Sequence, residues 1–133
     1  MGKIIFINGC FDILHRGHLE MLKFAKESGD ILIVAVDSDD KVAKDKGSDR
    51  PVNCQEDRIF MLQSLKWVDE VRVFDTQEEL SALVDWISPD LMVVGSDWRD
   101  KDIVGGEFAR EIQYFERVGN YSTTKIIESL AHR

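Results

Sequence analysis

Residues 4–26 have the sequence IIFINGCFDILHRGHLEMLKFAK, in which an apolar run, a short loop and an amphipathic run follow one another. This order is typical of a β-strand, a tight turn and an α-helix. His15 and His18 lie where the helix should begin, with Gly17 between them. A helix start offers unpaired backbone N–H groups and the positive end of the helix dipole, and both attract phosphate. The stretch therefore predicts a phosphate site to which two imidazoles add hydrogen-bond donors.

The rest of the chain repeats the alternation of short apolar runs with helical patterns. Residues 31–36, 70–74, 91–94 and 112–115 predict further strands, whereas residues 37–53 predict a polar loop with at most a short helix at 39–43. Residues 55–66, the segment that ends at Ile87, residues 107–111 and residues 122–130 predict helices. We therefore expect one α/β domain over residues 1–133, a doubly wound, Rossmann-like parallel sheet of about five strands with helices on both faces. Ligands of such sheets bind at the carboxyl ends of the strands.

Composition narrows the class of partner. The formal net charge is −8 and the isoelectric point is about 4.8, which disfavours a protein that grips nucleic acid. No apolar stretch has the length of a membrane span, and the first residues do not resemble a signal peptide. Two cysteines, Cys10 and Cys54, are too few for a disulfide framework. We expect a cytoplasmic protein with neither a nucleic acid nor a membrane as its partner.

His15 and His18 have two other interpretations. They could be ordinary surface or core histidines, although both flank a glycine at a strand-to-helix junction. They could bind zinc together with Cys10, but the third histidine, His132, is distant and there is no Cys-x-x-Cys pair. We therefore predict no metal ion held by protein ligands. The chain also lacks the glycine patterns of dinucleotide-binding and P-loop proteins after its first strand.

A second predicted helix start carries hydroxyl groups. Residues 122–125 are Ser-Thr-Thr-Lys, which suits either a phosphate or simple N-capping. Arg117 and Gly119 precede this segment and provide a flexible, cationic approach to it. Asp97 and Trp98 follow the predicted strand 91–94, where a nucleotide base could stack and form hydrogen bonds.

Taken in order along the chain, these motifs resemble the cytidylyltransferase-like nucleotidyltransferases. The resemblance rests on residues 9–18, 44–47, 50–53, 58, 95–98 and 121–127, and it extends over nearly the whole sequence. It implies a Mg²⁺-dependent reaction in which a phosphate oxygen of an acceptor attacks the α-phosphorus of a nucleoside triphosphate and pyrophosphate leaves. The implied partners are that triphosphate and a phosphorylated small molecule, and the implied assembly is a homodimer.

The same resemblance implies roles for individual residues. The catalytic residues would be His15, His18, Lys46 and Arg117, and the acceptor would be bound by Lys44 and Arg58. The nucleotide would be bound by Gly9, Cys10, Phe11, Gly17, Asp97, Trp98, Gly119, Tyr121, Ser122, Thr123 and Thr124.

Two branches of the family share features with the chain. One branch is glycerol-phosphate cytidylyltransferase, a stand-alone domain of this length, and the chain resembles it at Asp97, Trp98 and Arg117. The other is the heptose-phosphate adenylyltransferase, which is often fused to a kinase, and the chain resembles it at residues 46–47, 50–53, 89–91 and 102–105. The heptose branch usually carries lysine at the place of Val94. We therefore expect transfer of CMP from CTP to a sugar or polyol phosphate. Transfer of AMP from ATP to a heptose phosphate is the first alternative, and a non-catalytic nucleotide-binding module is the second.

Overall fold

The computed structural model describes residues 2–117, 119 and 121–131, so His132 lies outside the described residues. Five strands are present: β1 (Ile4–Gly9), β2 (Ile31–Asp37), β3 (Glu70–Phe74), β4 (Leu91–Gly95) and β5 (Glu111–Phe115). The helices are α1 (Arg16–Glu27), α2 (Asp39–Lys46), α3 (Gln55–Gln63), α4 (Gln77–Ile87) and α5 (Thr123–Ala131), with short 3₁₀ helices at Ser96–Trp98 and Gly106–Phe108. None of the described helices combines the length and the apolar content that crossing a membrane requires.

The strands form one parallel sheet in the order β3-β2-β1-β4-β5. This architecture confirms the predicted single α/β domain with a doubly wound sheet. The chain proceeds outward from β1 to β3, and then crosses to the other side of β1 for β4 and β5. The direction of winding thus reverses between β1 and β4, and the crevice beyond their carboxyl ends is the expected place for a ligand.

Apolar side chains fill both faces of the sheet. On one face, Ile5 and Ile7 pack with Leu22 of α1 and Leu62 of α3. On the other face, the intervening Phe6 packs in a cluster that includes Leu80 and Val84 of α4. Residues 32–36 of β2 are all buried, because successive side chains of a strand point to opposite faces and both faces are covered.

Three predicted elements differ from the structure by more than one residue. The segment predicted as a loop with at most a short helix folds as α2 through Lys46, capped by the Ser38 hydroxyl, which accepts a hydrogen bond from the Lys41 N–H. Its sequence is almost entirely polar and only Val42 is buried, so hydrophobic periodicity gave no signal. Helix α3 ends at Gln63, three residues early, and the helix predicted at 107–111 is a 3₁₀ turn that ends at Phe108.

Candidate functional site

The two histidines orient each other at the start of α1. His15 is the N-cap, and its Nδ1 accepts a hydrogen bond from the Gly17 N–H at 3.1 Å. The backbone N–H of His15 donates in turn to Nδ1 of His18 at 3.3 Å. Since both Nδ1 atoms accept, each neutral ring carries its proton on Nε2. A Cβ at Gly17 would lie 2.9 Å from the His15 ring, so any other residue here would push that ring out of its capping position.

Both imidazoles are neutral at pH 7. The two rings stack with centroids 3.8 Å apart, and the Phe11 ring lies 5.2 Å from that of His18. Burial, followed by the charges of His15 and Lys46, lowers the pKa of His18 to about 4. Burial and then the nearby Arg117 lower the pKa of His15 as well. The site therefore offers two uncharged Nε2–H donors.

This depressed pKa makes a prediction about folding stability. Unfolded chains protonate histidine near pH 6.5, whereas folded His18 stays neutral down to about pH 4. The unfolded state therefore binds more protons between these values. The contribution of His18 to the stability of the fold is fully present above pH 6.5 and is lost as the pH falls towards 4. At about 1.4 kcal/mol per unit, His18 should make the free energy of unfolding about 2 kcal/mol lower at pH 5 than at pH 7.

Urea denaturation at these two pH values tests the prediction, because most carboxylates titrate below the window. The His18→Gln variant is the control and should show a distinctly flatter dependence on pH. His15 acts in the same direction and leaves a residual slope in that variant. An identical slope in both proteins would contradict the assignment.

A cavity of about 340 Å³, here called the histidine cavity, gathers residues from four distant parts of the chain, including Lys46 of α2. Its lining includes His15, Gly17 and His18 from the first turn, Asp97 and Trp98 after β4, and Arg117, Tyr121, Ser122, Thr123 and Thr124 near the start of α5. The structure thus brings together most of the residues that the sequence assigned to nucleotide binding.

Contacts among the described residues hold the start of α5 against the first turn of α1, which carries His15 and His18 and is here called the histidine turn. The Thr123 hydroxyl donates to the Ile13 carbonyl at 3.2 Å, and the Tyr121 ring stacks on that of His15 at 6.1 Å. Arg117 forms an ion pair with Asp97 at 2.6 Å, which joins the segment before α5 to the end of β4. Both side chains of this pair are more than half exposed, so its net stabilisation is small.

A second cavity of about 450 Å³ lies beyond the carboxyl ends of β1, β2 and β4, and is here called the sheet-end cavity. Its lining includes Gly9, Cys10, Asp37, Lys41, Asp45, Phe74, Gln77 and Val94. It shares Asn8, Met21, Lys46, Gly95 and Trp98 with the histidine cavity, so the two cavities adjoin. Lys46 is the one cationic side chain on this shared wall among the described residues.

Four of the residues predicted to bind the nucleotide do not line the histidine cavity. Gly9 and Cys10 line the sheet-end cavity and not the histidine cavity. Phe11 lines neither, because its ring is buried in the core beside His18, where it supports that ring from behind. Gly119 lines neither and has φ +69°, and a Cβ there would lie 2.9 Å from the Tyr121 ring. Glycine at 119 therefore serves the turn before α5.

Lys44 does not reach either cavity. It lies two residues before Lys46 on α2, about 200° around a helix, and its side chain is exposed to solvent. This position gives no support to the assignment of Lys44 to acceptor binding, which stays a prediction. The sequence could not separate the two lysines without knowing that residues 39–46 form a helix.

Arg58 is enclosed by the protein instead of facing an acceptor. Its side chain is fully buried, and its guanidinium donates to the backbone carbonyls of Cys10, Asp37 and Asn53 and to the carboxylate of Asp39, at 2.8–3.0 Å. It lines neither cavity. The acceptor-binding assignment is corrected accordingly: Arg58 ties the ends of β1 and β2 to the segment before α3.

Asp12 has a similar structural role that the sequence did not reveal. Its buried carboxylate accepts hydrogen bonds from the backbone N–H groups of Val52 and Asn53 at 2.8–2.9 Å, and from Nε of Arg50 at 3.3 Å. Asn53 returns a bond from its amide to the Asp12 carbonyl. The motif around His15 is thereby held against residues 50–53. The only available signal was that both segments belong to the family resemblance.

Comparison with known proteins agrees with the fold and the motifs. Residues 6–129 match the cytidylyltransferase-like family. Bifunctional protein HldE is 48% identical over 130 residues in Nitratiruptor sp., 47% over 128 in Helicobacter pylori and 46% over 127 in Campylobacter fetus. Each alignment covers 96% of this chain but only 27–28% of the relative. The chain thus spans just over a quarter of the length of these relatives.

Two solved structures share the fold. A lipopolysaccharide core biosynthesis protein from Thermoplasma volcanium aligns with a TM-score of 0.65 and 24% identity, covering 92% of this chain and 100% of that one. Pantoate-beta-alanine ligase from Francisella tularensis aligns with a TM-score of 0.64 and 16% identity, covering 96% and 69%. At these identities the similarity concerns the fold alone.

Proposed function

Since the chain belongs to the cytidylyltransferase-like family and is a nucleotidyltransferase, we propose that it transfers AMP from ATP to the phosphate of a heptose phosphate. The transfer reaction is supported by two adjoining cavities, one lined by the histidines, that meet at Lys46. The choice of branch is supported by relatives of 46–48% identity that are named bifunctional proteins. This chain spans just over a quarter of their length. That arrangement fits the heptose branch, often fused to a kinase, better than the stand-alone cytidylyltransferase.

The sequence favoured CTP on the strength of Asp97, Trp98 and Arg117, and the relatives give that preference no support. In the structure, Arg117 and Asp97 both line the histidine cavity and form an ion pair with each other. An ion pair of this kind is compatible with a bound nucleotide whether its base is cytosine or adenine. We therefore place ATP first.

In the proposed complex the triphosphate occupies the histidine cavity. The hydroxyls of residues 122–124 and the cationic Arg117 lie on the side where the β- and γ-phosphates would be bound. Mg²⁺ prefers oxygen ligands and is commonly carried by the triphosphate itself, with one or two carboxylates. Asp97 is the one carboxylate that lines this cavity in the described part of the chain, which fits a metal ion that arrives with its substrate. When bound, Mg²⁺ neutralises charge on the triphosphate.

The sugar phosphate occupies the sheet-end cavity, with its phosphate near Lys46. An oxygen of that phosphate attacks the α-phosphorus, the bond from α-phosphorus to the bridging oxygen breaks, and the electron pair leaves with pyrophosphate. The Nε2–H groups of His15 and His18 donate to the α-phosphate oxygens, on which charge accumulates. Neutral donors that are oriented in advance need no reorganisation during the reaction. Lys46 brings two anions together at the shared wall.

Nucleotide preference provides the direct test. We expect ATP with Mg²⁺ to raise the thermal midpoint more than CTP does, since binding to the native state stabilises it. Pyrophosphate release should then occur with ATP and a heptose phosphate, and be lower with CTP or glycerol phosphate. Preferential turnover of CTP would overturn the choice of nucleotide. Nucleotide binding without pyrophosphate from any acceptor would favour a non-catalytic module.

Two further parts of the expectation belong to this proposal. A homodimer is implied by the family resemblance alone, and a sedimentation experiment tests it. A cytoplasmic location is proposed because Cys10 and Cys54 are free cysteines, as a reducing compartment would keep them.

A further inference from the structure

Helix α2 carries Lys46 at its last position, but little of the helix is packed against the rest of the domain. Its sequence is almost entirely polar, and Val42 is its one buried residue. A helix of eight residues is marginal by itself, because most helical stability in proteins comes from packing an apolar face. The position of Lys46 should therefore depend on the polar contacts of α2, one of which is the ion pair of Lys41 with Asp37 at the end of β2.

The other polar contacts attach the first residues of α2 to neighbouring elements. The Ser38 hydroxyl, which caps the helix, donates to the Asp75 carboxylate just after β3 at 2.6 Å. Asp39, the first helical residue, donates its backbone N–H to Oε1 of Gln55 at 2.9 Å. Its carboxylate accepts from Nη2 of Arg58 at 2.9 Å. Gln55 and Arg58 both belong to α3, so Asp39 fastens α2 to α3 through its backbone and its side chain.

Arg58 connects this attachment with the loop that leads to the histidines. Its Nη1 donates to the Cys10 carbonyl at 2.8 Å, while its Nη2 holds the Asp39 carboxylate. The guanidinium is planar, so its donors have fixed relative directions. The Arg58 side chain is fully buried and cannot turn to solvent when one partner is lost. One rigid group thus relates the start of α2 to the start of the loop before His15.

Lys46 is close enough to this loop for its charge to act there. That charge lowers the pKa of His18 and opposes the raised pKa of Cys10. Because a helix rises about 1.5 Å per residue, Lys46 lies about 10 Å along the axis from Asp39, and a tilt of about 6° at Asp39 would move it by about 1 Å. A small change at the start of α2 therefore becomes a displacement of the lysine.

Resting on the function proposed above, we infer that Asp39 is a positioning residue: its ion pair with Arg58 fixes Lys46 relative to the histidine turn. Asp39 lines neither cavity, so it acts through Lys46 and not by contact with a substrate. Misplacement of a reacting or binding group by about 1 Å can lower a rate by about 10²-fold.

The test measures kcat/KM for pyrophosphate release in Asp39→Ala and in the matched control Asp40→Ala. Both variants remove one carboxylate from the first turn of α2, but Asp40 is exposed to solvent. We expect a fall of about ten- to 10²-fold for Asp39→Ala and a change within about twofold for Asp40→Ala. In the Lys46→Met background, Asp39→Ala should cost less than about twofold more, because the group that it positions is gone.

The pKa of His18, followed by NMR without substrates, provides a readout independent of turnover. In Asp39→Ala the pKa should rise, since a helix released from Arg58 keeps Lys46 near the ring for less of the time. Loss of the Asp39 carboxylate would by itself lower this pKa, because a negative charge favours the imidazolium. The sign of the change therefore separates displacement of Lys46 from simple removal of charge.

A second variant and the two readouts separate the possible failures. Gln55→Leu removes the acceptor of the Asp39 N–H without a change of charge, and it should produce the same changes to a smaller extent if Asp39→Ala does not fold. If no sugar phosphate supports turnover, the proposed function fails and the pKa of His18 decides on the role of Asp39. Equal costs of Asp39→Ala in the two backgrounds, or a His18 pKa that does not rise, would overturn that role while the function stands.

Discussion

Replacement of His18 by alanine should lower kcat by about 10²- to 10³-fold with little change in KM. This is the scale observed when one donor to a developing negative charge is removed. KM should change little because the Nε2–H of His18 is proposed to act mainly on charge that accumulates in the transition state. Steady-state pyrophosphate release, recorded while each substrate is varied in turn at a saturating concentration of the other, measures both constants.

Two amides distinguish the chemical role of His18 from its structural one. In His18→Asn, the amide oxygen lies near the position of Nδ1 and can still accept from the His15 N–H. In His18→Gln, the longer side chain places an N–H near the position of Nε2. We expect asparagine to be as damaging as alanine, and glutamine to retain more of kcat. Near-normal turnover in His18→Asn would contradict the assignment of Nε2 as the active donor.

The fold was predictable because its signals are local. The apolar runs of β1 and β2 are bounded by loops and helical patterns, and parallel strands with intervening helices permit few arrangements. The pairing of the histidine turn with residues 122–124 was also anticipated, since both are helix starts suited to phosphate. The sequence did not predict how close these two segments lie. Thr123 comes within hydrogen-bonding distance of Ile13 only because of the order of the strands in the sheet.

Charged residues were the least predictable part of the site. A buried arginine is uncommon, and Arg58 is tolerated only because three backbone carbonyls and one carboxylate from four separate positions converge on it. The sequence of α3 contains no pattern that predicts these hydrogen-bond partners of Arg58. Asp12 is similar, because its carboxylate oxygens accept hydrogen bonds from a loop 40 residues further along the chain. Family roles transferred by motif identify which residues matter, but burial decides whether they contact a ligand.

Lys46 is the second residue whose replacement should have a large effect. It lies on the wall shared by the two cavities, and its charge lowers the pKa of His18 and acts against the raised pKa of Cys10. Lys46 thus stands between the two proposed substrate positions. In Lys46→Met, two polyanions must approach each other without this cation, so we expect kcat/KM to fall by about 10²- to 10³-fold.

Lys44→Met is a closely matched control for that experiment. Both lysines are exposed, both lie in the last turn of α2 where they interact with the helix dipole, and both variants change the net charge equally. We expect Lys44→Met to remain within about twofold of wild type, because a solvent-screened charge outside the cavity contributes little. NMR titration of His18 adds a readout independent of turnover, since its pKa should rise in Lys46→Met and stay unchanged in Lys44→Met. Equal losses in the two variants would mean that the summed charge of the two lysines in the last turn of α2, and not the placement of Lys46, supports the reaction.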